Sequence, residues 1–202
     1  MVWIIEDGIG RLRLNNFTWA SIGDSFTSPG TYQAEVANRR IVTGFVNLGV
    51  SGMTLTTNVH SAGMNSKVAL AVGYDLITIL GGTNDWYFDI PLTEIETYTR
   101  AIITGIRASS PSSNILFILP AYRSRNQAGG QETTPINNLG LTIREYGLKI
   151  QEVCVDEGVY YLNLYNADGL MYYDMPTWSD DGLHPNAVGY AAIGKLIGDY
   201  LT

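Results

Sequence analysis

Five strand-sized apolar runs recur along the chain, with segments of helical spacing between them. The runs cover residues 17–22 (FTWASI), 41–48 (IVTGFVNL), 76–80 (LITIL), 115–119 (ILFIL) and 159–164 (VYYLNL). Four of them are continuous apolar or β-branched stretches without alternation, the pattern expected of strands covered on both faces. Between them Ile95, Tyr98, Ile102 and Ile106 recur at three and four residues, as do Leu139, Ile143, Tyr146, Ile150 and Val153. Val188, Ala192, Ile193, Leu196, Ile197 and Tyr200 make a third stripe near the C-terminus. Each stripe suits a helix lying on a sheet. Thr93 and Glu96 have the spacing of a capping box, and Pro185 suits the first turn of the last helix. Strands alternating with helices predict right-handed βαβ units. The fold class is therefore α/β, a three-layer α/β/α sandwich on about five parallel strands in a flavodoxin-like order.

Residues 1–16 stand outside this alternation. Trp3 to Ile5, Asp7-Gly8 and Leu12 to Leu14 read as a small β-hairpin or arm packed outside the core, so the expected organisation is an arm at 1–16 and a domain at 17–202. The polar stretch 123–138 reads as a long surface loop between a strand and a helix. Hydrophobic residues make up 46% of the 202 and charged residues 15%, enough for a sizeable core and too few charges for a disordered chain. The net charge is 12 − 19 = −7 with no basic run, which disfavours nucleic acid or anionic lipid as partners. A lone cysteine, Cys154, excludes an intramolecular disulfide and falls on an apolar stripe. With two histidines, His60 and His184, a Cys/His zinc site is not expected. No apolar run has the length of a membrane-spanning helix. The start, Met1-Val-Trp-Ile-Ile-Glu-Asp-Gly, has no basic region and no long apolar stretch, so no signal peptide is read there. The expectation is a cytoplasmic protein as written, or a domain cut from a larger secreted or viral tail protein.

In open parallel sheets ligands bind at the carboxyl ends of the strands. Gly23-Asp24-Ser25 follows the first predicted strand, Asn47-Leu48-Gly49-Val50-Ser51-Gly52 closes the second, and Gly81-Gly82-Thr83-Asn84-Asp85 follows the third. Asp181-Gly182-Leu183-His184-Pro185 precedes the last helix. Together they supply a hydroxyl, small-residue amides, a carboxamide, an imidazole and a carboxylate, which are the parts of a serine hydrolase. A serine hydroxyl needs a base, and His184 is of the right type. The imidazole needs an acceptor on its other nitrogen, and Asp181 can fold back to supply it. Convergent donors for an oxyanion are available in Ser25 N–H, Gly52 N–H and the Asn84 side chain.

These four blocks resemble those of an SGNH hydrolase of the GDSL esterase/lipase superfamily, in the family's order and approximate spacing. Gly23-Asp24-Ser25 matches the block with the nucleophile. Asn47-x-Gly49-x-x-Gly52 matches the block with an oxyanion donor, Gly82-x-Asn84-Asp85 the block with the side-chain donor, and Asp181-x-x-His184 the acid and base. The resemblance implies a flavodoxin-like sandwich and an esterase with Ser25, His184 and Asp181 as triad, working without metal or organic cofactor. It implies short-chain acyl esters, O-acetylated carbohydrates, lysophospholipids or thioesters as substrates. The reading favoured is a small acetylesterase-like member acting on a small-molecule or glycan ester. The alternatives are a lipid-acting esterase, or a weakly catalytic carbohydrate-binding module. Phe26-Thr27-Ser28-Pro29 departs from the usual glycine-rich continuation, and Asp180 is an alternative partner for His184.

Other features have plainer readings. Gly49-Val50-Ser51-Gly52 fails as a nucleophile elbow because Met53 stands where glycine is required. Gly8-Ile-Gly10 lacks the third glycine of a dinucleotide fingerprint. Asp168, Asp174, Asp180 and Asp181 lack the spacing of a calcium loop. His60 reads as a surface-loop residue. Asp24, Trp86, Tyr87 and Trp178 lie beside the catalytic blocks and are candidate substrate-binding residues. The aromatic ones, with Phe88, Tyr172 and Tyr173, serve either as ordinary packing or as a stacking wall for a sugar ring or an aromatic leaving group.

Overall fold

Leu76, Thr78 and Leu80 point to one face of a strand and Ile77 and Ile79 to the other, and all five are buried. That is why the run carries no polar alternation: both faces of the sheet are covered. The structure, a computed structural model, describes residues 4–5, 8–9, 11–124 and 135–202, with backbone alone for the first two pairs. Its main sheet contains β3 (Asn16–Gly23), β4 (Ile41–Gly49), β5 (Leu76–Leu80), β6 (Asn114–Leu119) and β7 (Tyr160–Asn163). The strands pair in parallel throughout, in the order β4-β3-β5-β6-β7. All five predicted strands are present, and the architecture is the expected α/β sandwich. β4 is an edge strand with alternating exposure, and Ile41 and Phe45 on it are exposed.

Two apolar clusters flank the sheet. On one face α3 (Leu92–Ser109) and α4 (Ile143–Glu157) bring Ile95, Ile102, Ile106, Ile150 and Val153 onto Ile77, Ile79, Ile115 and Phe117. On the other, α1 (Thr31–Ala37) and α6 (Ala187–Tyr200) bring Tyr32, Val36, Ile193 and Ile197 onto Phe17, Trp19, Leu76 and Leu116. Cys154 is buried in the first cluster, and burial pushes its thiol well up.

Several expectations about element ends are corrected. Thr93 does not cap α3: the preceding chain enters through Pro91, whose fixed φ suits a helix start but which offers no side-chain acceptor. The capping box belongs to α4, where Thr142 and Glu145 exchange hydrogen bonds, so Leu139 lies before the helix and is exposed. Pro185 precedes rather than opens α6, because Asn186 takes the cap and accepts from Val188 and Gly189 N–H. In the N-terminal arm Ile4–Ile5 and Gly8–Ile9, β1 and β2, pair antiparallel, while Trp3 and Asp7 lie outside the described residues. Leu12 is not outside the core: it is buried and bridges Leu201 in parallel, so the arm's end is stitched to the C-terminus. The stretch 123–138 also differs from a surface loop at its ends. Arg123, Ser124 and Asn137 are buried, and residues 125–134 lie outside the described residues.

Candidate active site

β3 ends in a tight turn at the carboxyl edge of the sheet, and Ser25 sits in it. Gly23 is required by packing, since a Cβ there would lie 2.9 Å from Leu80 O and against the Thr27 side chain. Asp24 folds the turn from within: its carbonyl accepts from Thr27 and Ser28 N–H, and its Oδ1 accepts from Phe26 N–H at 2.9 Å. The turn leaves Ser25 half-buried while Asp24 is wholly buried. Burial raises the Asp24 carboxyl to about 7, with the Phe26 N–H and Arg123 opposing and Asp85 reinforcing the rise.

The turn between Trp178 and α6 carries His184. His184 Nε2 lies 3.1 Å from Ser25 Oγ, and His184 Nδ1 lies 2.7 Å from Asp181 Oδ2. Asp181 Oδ1 also accepts from Leu183 and His184 N–H, at 2.9 and 2.7 Å, which shapes the turn that presents the imidazole. Desolvation disfavours the Asp181 carboxylate, but the hydrogen bonds from the His184 ring and these two N–H groups outweigh it and hold its pKa below the ordinary value. Asp180 is engaged elsewhere, accepting from Asn186 Nδ2 at 2.9 Å. Of the two adjacent acids, Asp181 is the one that faces the imidazole.

Two further segments reach the same end of the sheet, the loop after β4 and a short helix after β5. Asn47 on β4 donates to Thr27 O and Ser28 O and accepts from Gly49 N–H, binding the Ser25 turn to the end of β4. Gly52 on that loop has φ +77°, a left-handed conformation that side chains other than glycine rarely adopt, and its surroundings are open. Asn84 lies on α2 (Thr83–Tyr87) and is half-buried, with Nδ2 donating to Met53 O at 3.0 Å. An amide nitrogen carries two hydrogens, so one remains for a ligand. Thus Ser25, Gly52, Asn84, Asp181 and His184 come from four separated segments to one end of the sheet.

Asp85, whose part the sequence left unassigned, is wholly buried and clamps the Gly52 loop from beneath. Its Oδ2 accepts from Leu55 N–H, and its Oδ1 from Thr56 N–H and Oγ1, at 2.9 to 3.1 Å. Burial raises its pKa to about 6 against these donors. The candidate substrate residues divide. Tyr87 is 45% exposed and open to a ligand, whereas Trp86 and Trp178 are 0% exposed and Asp24 likewise, so none of these three presents a surface to substrate. The indole N–H of Trp86 donates to Leu141 O and that of Trp178 to Met171 O, which explains how such large rings are accommodated inside. His60 is exposed, as expected of a surface-loop residue, and stacks on Phe88 with ring centroids 4.1 Å apart. Arg123 is buried beside Trp86 and Tyr87, and nothing in the polar run RSRN marked it.

Among the described residues no group of three or more His, Cys, Asp or Glu could hold a metal, and no helix is long and apolar enough to cross a membrane. The sequence pattern of the GDSL-like lipase/acylhydrolase family matches residues 21–192. No curated protein matches the chain by sequence. Among solved structures, a protein from Lactobacillus plantarum is similar at 26% identity and TM-score 0.80, over 95% of this chain and 97% of that one. A lipase/acylhydrolase from Enterococcus faecalis is similar at 20% identity and TM-score 0.68, over 92% and 94%. A peptidoglycan O-acetylesterase shares the fold at 22% identity and TM-score 0.62, over 77% of this chain and 45% of that one.

Proposed function

The chain belongs to the GDSL-like lipase/acylhydrolase family, and from that premise we propose that it is a serine esterase hydrolysing short acyl esters, acetyl esters of carbohydrates foremost, through an acyl-enzyme. The observation that carries this reading is the chain of contacts from Ser25 Oγ to His184 Nε2 at 3.1 Å and from His184 Nδ1 to Asp181 at 2.7 Å. In the proposed reaction Ser25 Oγ attacks the ester carbonyl as its proton passes to His184 Nε2. Asp181 accepts from Nδ1–H, which fixes the tautomer and favours the imidazolium. The tetrahedral oxyanion takes hydrogen bonds from Ser25 N–H, Gly52 N–H and the second hydrogen of Asn84 Nδ2. Collapse breaks the bond to the leaving alcohol, which takes the proton from His184. Water then attacks the acyl-Ser25 ester as its proton passes to His184; collapse breaks the acyl–Oγ bond, Ser25 Oγ takes the proton back from His184, and the carboxylic acid departs.

The substrate class rests on the mouth of the site. Tyr87 is exposed and packs edge-on against Phe88, which is itself stacked on His60, so an aromatic shelf begins three residues after Asn84 in the chain. Such faces suit a sugar ring better than an acyl chain of many carbons, which needs a continuous apolar trough. Hydrolysis of p-nitrophenyl acetate, butyrate and octanoate, with Ser25→Ala in parallel, tests the reading. The expected result is turnover that falls with acyl length and disappears in Ser25→Ala, together with acetate release from acetylated glycans. Rates rising to octanoate would replace it with a lipid-acting esterase. Glycan binding with turnover no greater than Ser25→Ala would replace it with a binding module.

A further inference from the structure

α2 is a single turn of five residues, opened by Gly82 without a side-chain cap, yet it carries Asn84. So short a helix has no stability of its own, and tertiary contacts must fix it. Trp86 is anchored on one side by its bond to Leu141 O. On the other side lies Arg123, four residues beyond β6 and 1% exposed. Its guanidinium carbon stands 5.4 Å from the Trp86 ring centroid and 5.0 Å from that of Tyr87, and its Nη1 donates to Thr83 O at 3.4 Å. The neighbouring Ser124 N–H donates to Gly182 O at 2.8 Å, inside the turn that presents Asp181 and His184. Arg123 Nη2 has no hydrogen-bond partner among the described residues, and neither does Asp24 Oδ2 beside the nucleophile. The groups that set the charge on Arg123 come from three of the four segments that meet at the site: burial lowers its pKa to about 10, while Tyr87, Asp24 and Asp181 oppose the fall.

A buried cation without a close counter-ion among the described residues is costly to keep and is not explained by packing alone. We propose that Arg123 is a positioning residue for the oxyanion site, holding α2 so that the Asn84 amide meets the developing oxyanion. Its planar group lies against two rings of α2 and reaches the carbonyl that precedes Asn84. Through Ser124 the same stretch of chain is tied to the His184 turn. This inference rests on the esterase reading and acts through one named residue, which makes it separable from a general loss of fold.

The test is a double-mutant cycle of Arg123→Met and Asn84→Ala on p-nitrophenyl acetate, with the competent fraction counted by fluorophosphonate labelling of Ser25. Arg123→Met is expected to lower kcat by about tenfold or more with KM nearly unchanged, and to cost less than about threefold in the Asn84→Ala background. A purely structural role would cost the same in both backgrounds. An undiminished cost there, or an unchanged kcat in Arg123→Met alone, overturns the proposal. If Arg123→Met does not fold, Arg123→Lys takes its place in the cycle, since lysine keeps the charge but not the planar fork, and the same coupling to Asn84 is expected. Wild-type protein that neither turns over ester nor takes the fluorophosphonate overturns the esterase reading itself, and this inference with it. Turnover lost in Ser25→Ala but indifferent to Arg123 overturns the inference alone.

Discussion

Asn84 holds Met53 O with one amide hydrogen and keeps the other for a ligand, so its contribution should appear when negative charge develops and not before. Asn84→Ala is expected to lower kcat by about 10²–10³-fold with KM little changed, the signature of an interaction made in the transition state. Steady-state kinetics on p-nitrophenyl acetate checks this, and near-normal turnover would remove Asn84 from the mechanism. The two adjacent acids allow a sharper contrast. Asp181 accepts from the ring and from two backbone N–H groups of the His184 turn, whereas Asp180 holds the Asn186 side chain. Asp181→Asn replaces an ionised acceptor by an amide and disturbs the tautomer, with a loss of up to about 10⁴-fold in kcat. Asp180→Asn keeps an acceptor for Asn186 and is expected to leave kcat within about twofold of wild type. Equal losses in the two variants would sink this division of roles.

At the scale of elements, the loop after β4 is placed by what lies under it. Asp85 at the centre of α2 receives three donors from Leu55 and Thr56, so the helix carrying Asn84 also grips the loop carrying Gly52. Asp85→Asn leaves one carbonyl oxygen and turns an NH₂ toward N–H groups, at a cost of about 1–3 kcal/mol for the unsatisfied donor. A lowered denaturation midpoint together with a reduced kcat is expected, and a variant that keeps both would show that the loop holds itself. None of this clamp could be read from Asn84-Asp85 in the sequence, because its partners lie some thirty residues away. The strands were legible for the opposite reason. LITIL and ILFIL are apolar on both faces, and a local run reports that directly. Helix ends were less legible where two signals compete: Thr93 and Glu96 have capping-box spacing, but Pro91 already starts the helix and leaves Thr93 inside it. That Ser25, His184 and Asp181 would lie together was legible because Asp181 and His184 are near neighbours and Ser25 follows a strand end. Arg123 was not, since a lone arginine in a polar run gives no sign that two rings of α2 will cover it.

For the whole molecule, the two buried carboxyls beside the site set how stability answers to pH. Asp24 and Asp85 are wholly buried, and burial, the leading cause in each, raises them from an ordinary 3.8 to about 7 and about 6. Between pH 4 and 7 the folded chain therefore holds protons that the unfolded chain has released. Their contribution to stability is complete below about pH 4 and is lost as pH rises through their folded values. Asp75, Asp181, Glu157 and Asp199 have lowered values, so their contribution is present above the ordinary range and is lost only as pH falls below it. The two sets act in different windows, and between pH 5 and 8 the buried pair dominates. Urea denaturation at pH 5 and pH 8 is expected to give the higher midpoint at pH 5, by an amount equivalent to a few kcal/mol, with the slope unchanged. Asp24→Asn removes the larger of the two shifts and should flatten most of that difference while keeping an acceptor for Phe26 N–H. Equal midpoints in wild type at the two pH values would mean that Asp24 and Asp85 reach water or a closer cation in solution. A difference that survives Asp24→Asn intact would place it on Asp85 instead. This end of the sheet thus draws on the stability of the fold: two carboxyls are kept buried under the Ser25 turn and α2, at a cost that grows as they ionise, and there they order the N–H groups of Phe26, Leu55 and Thr56.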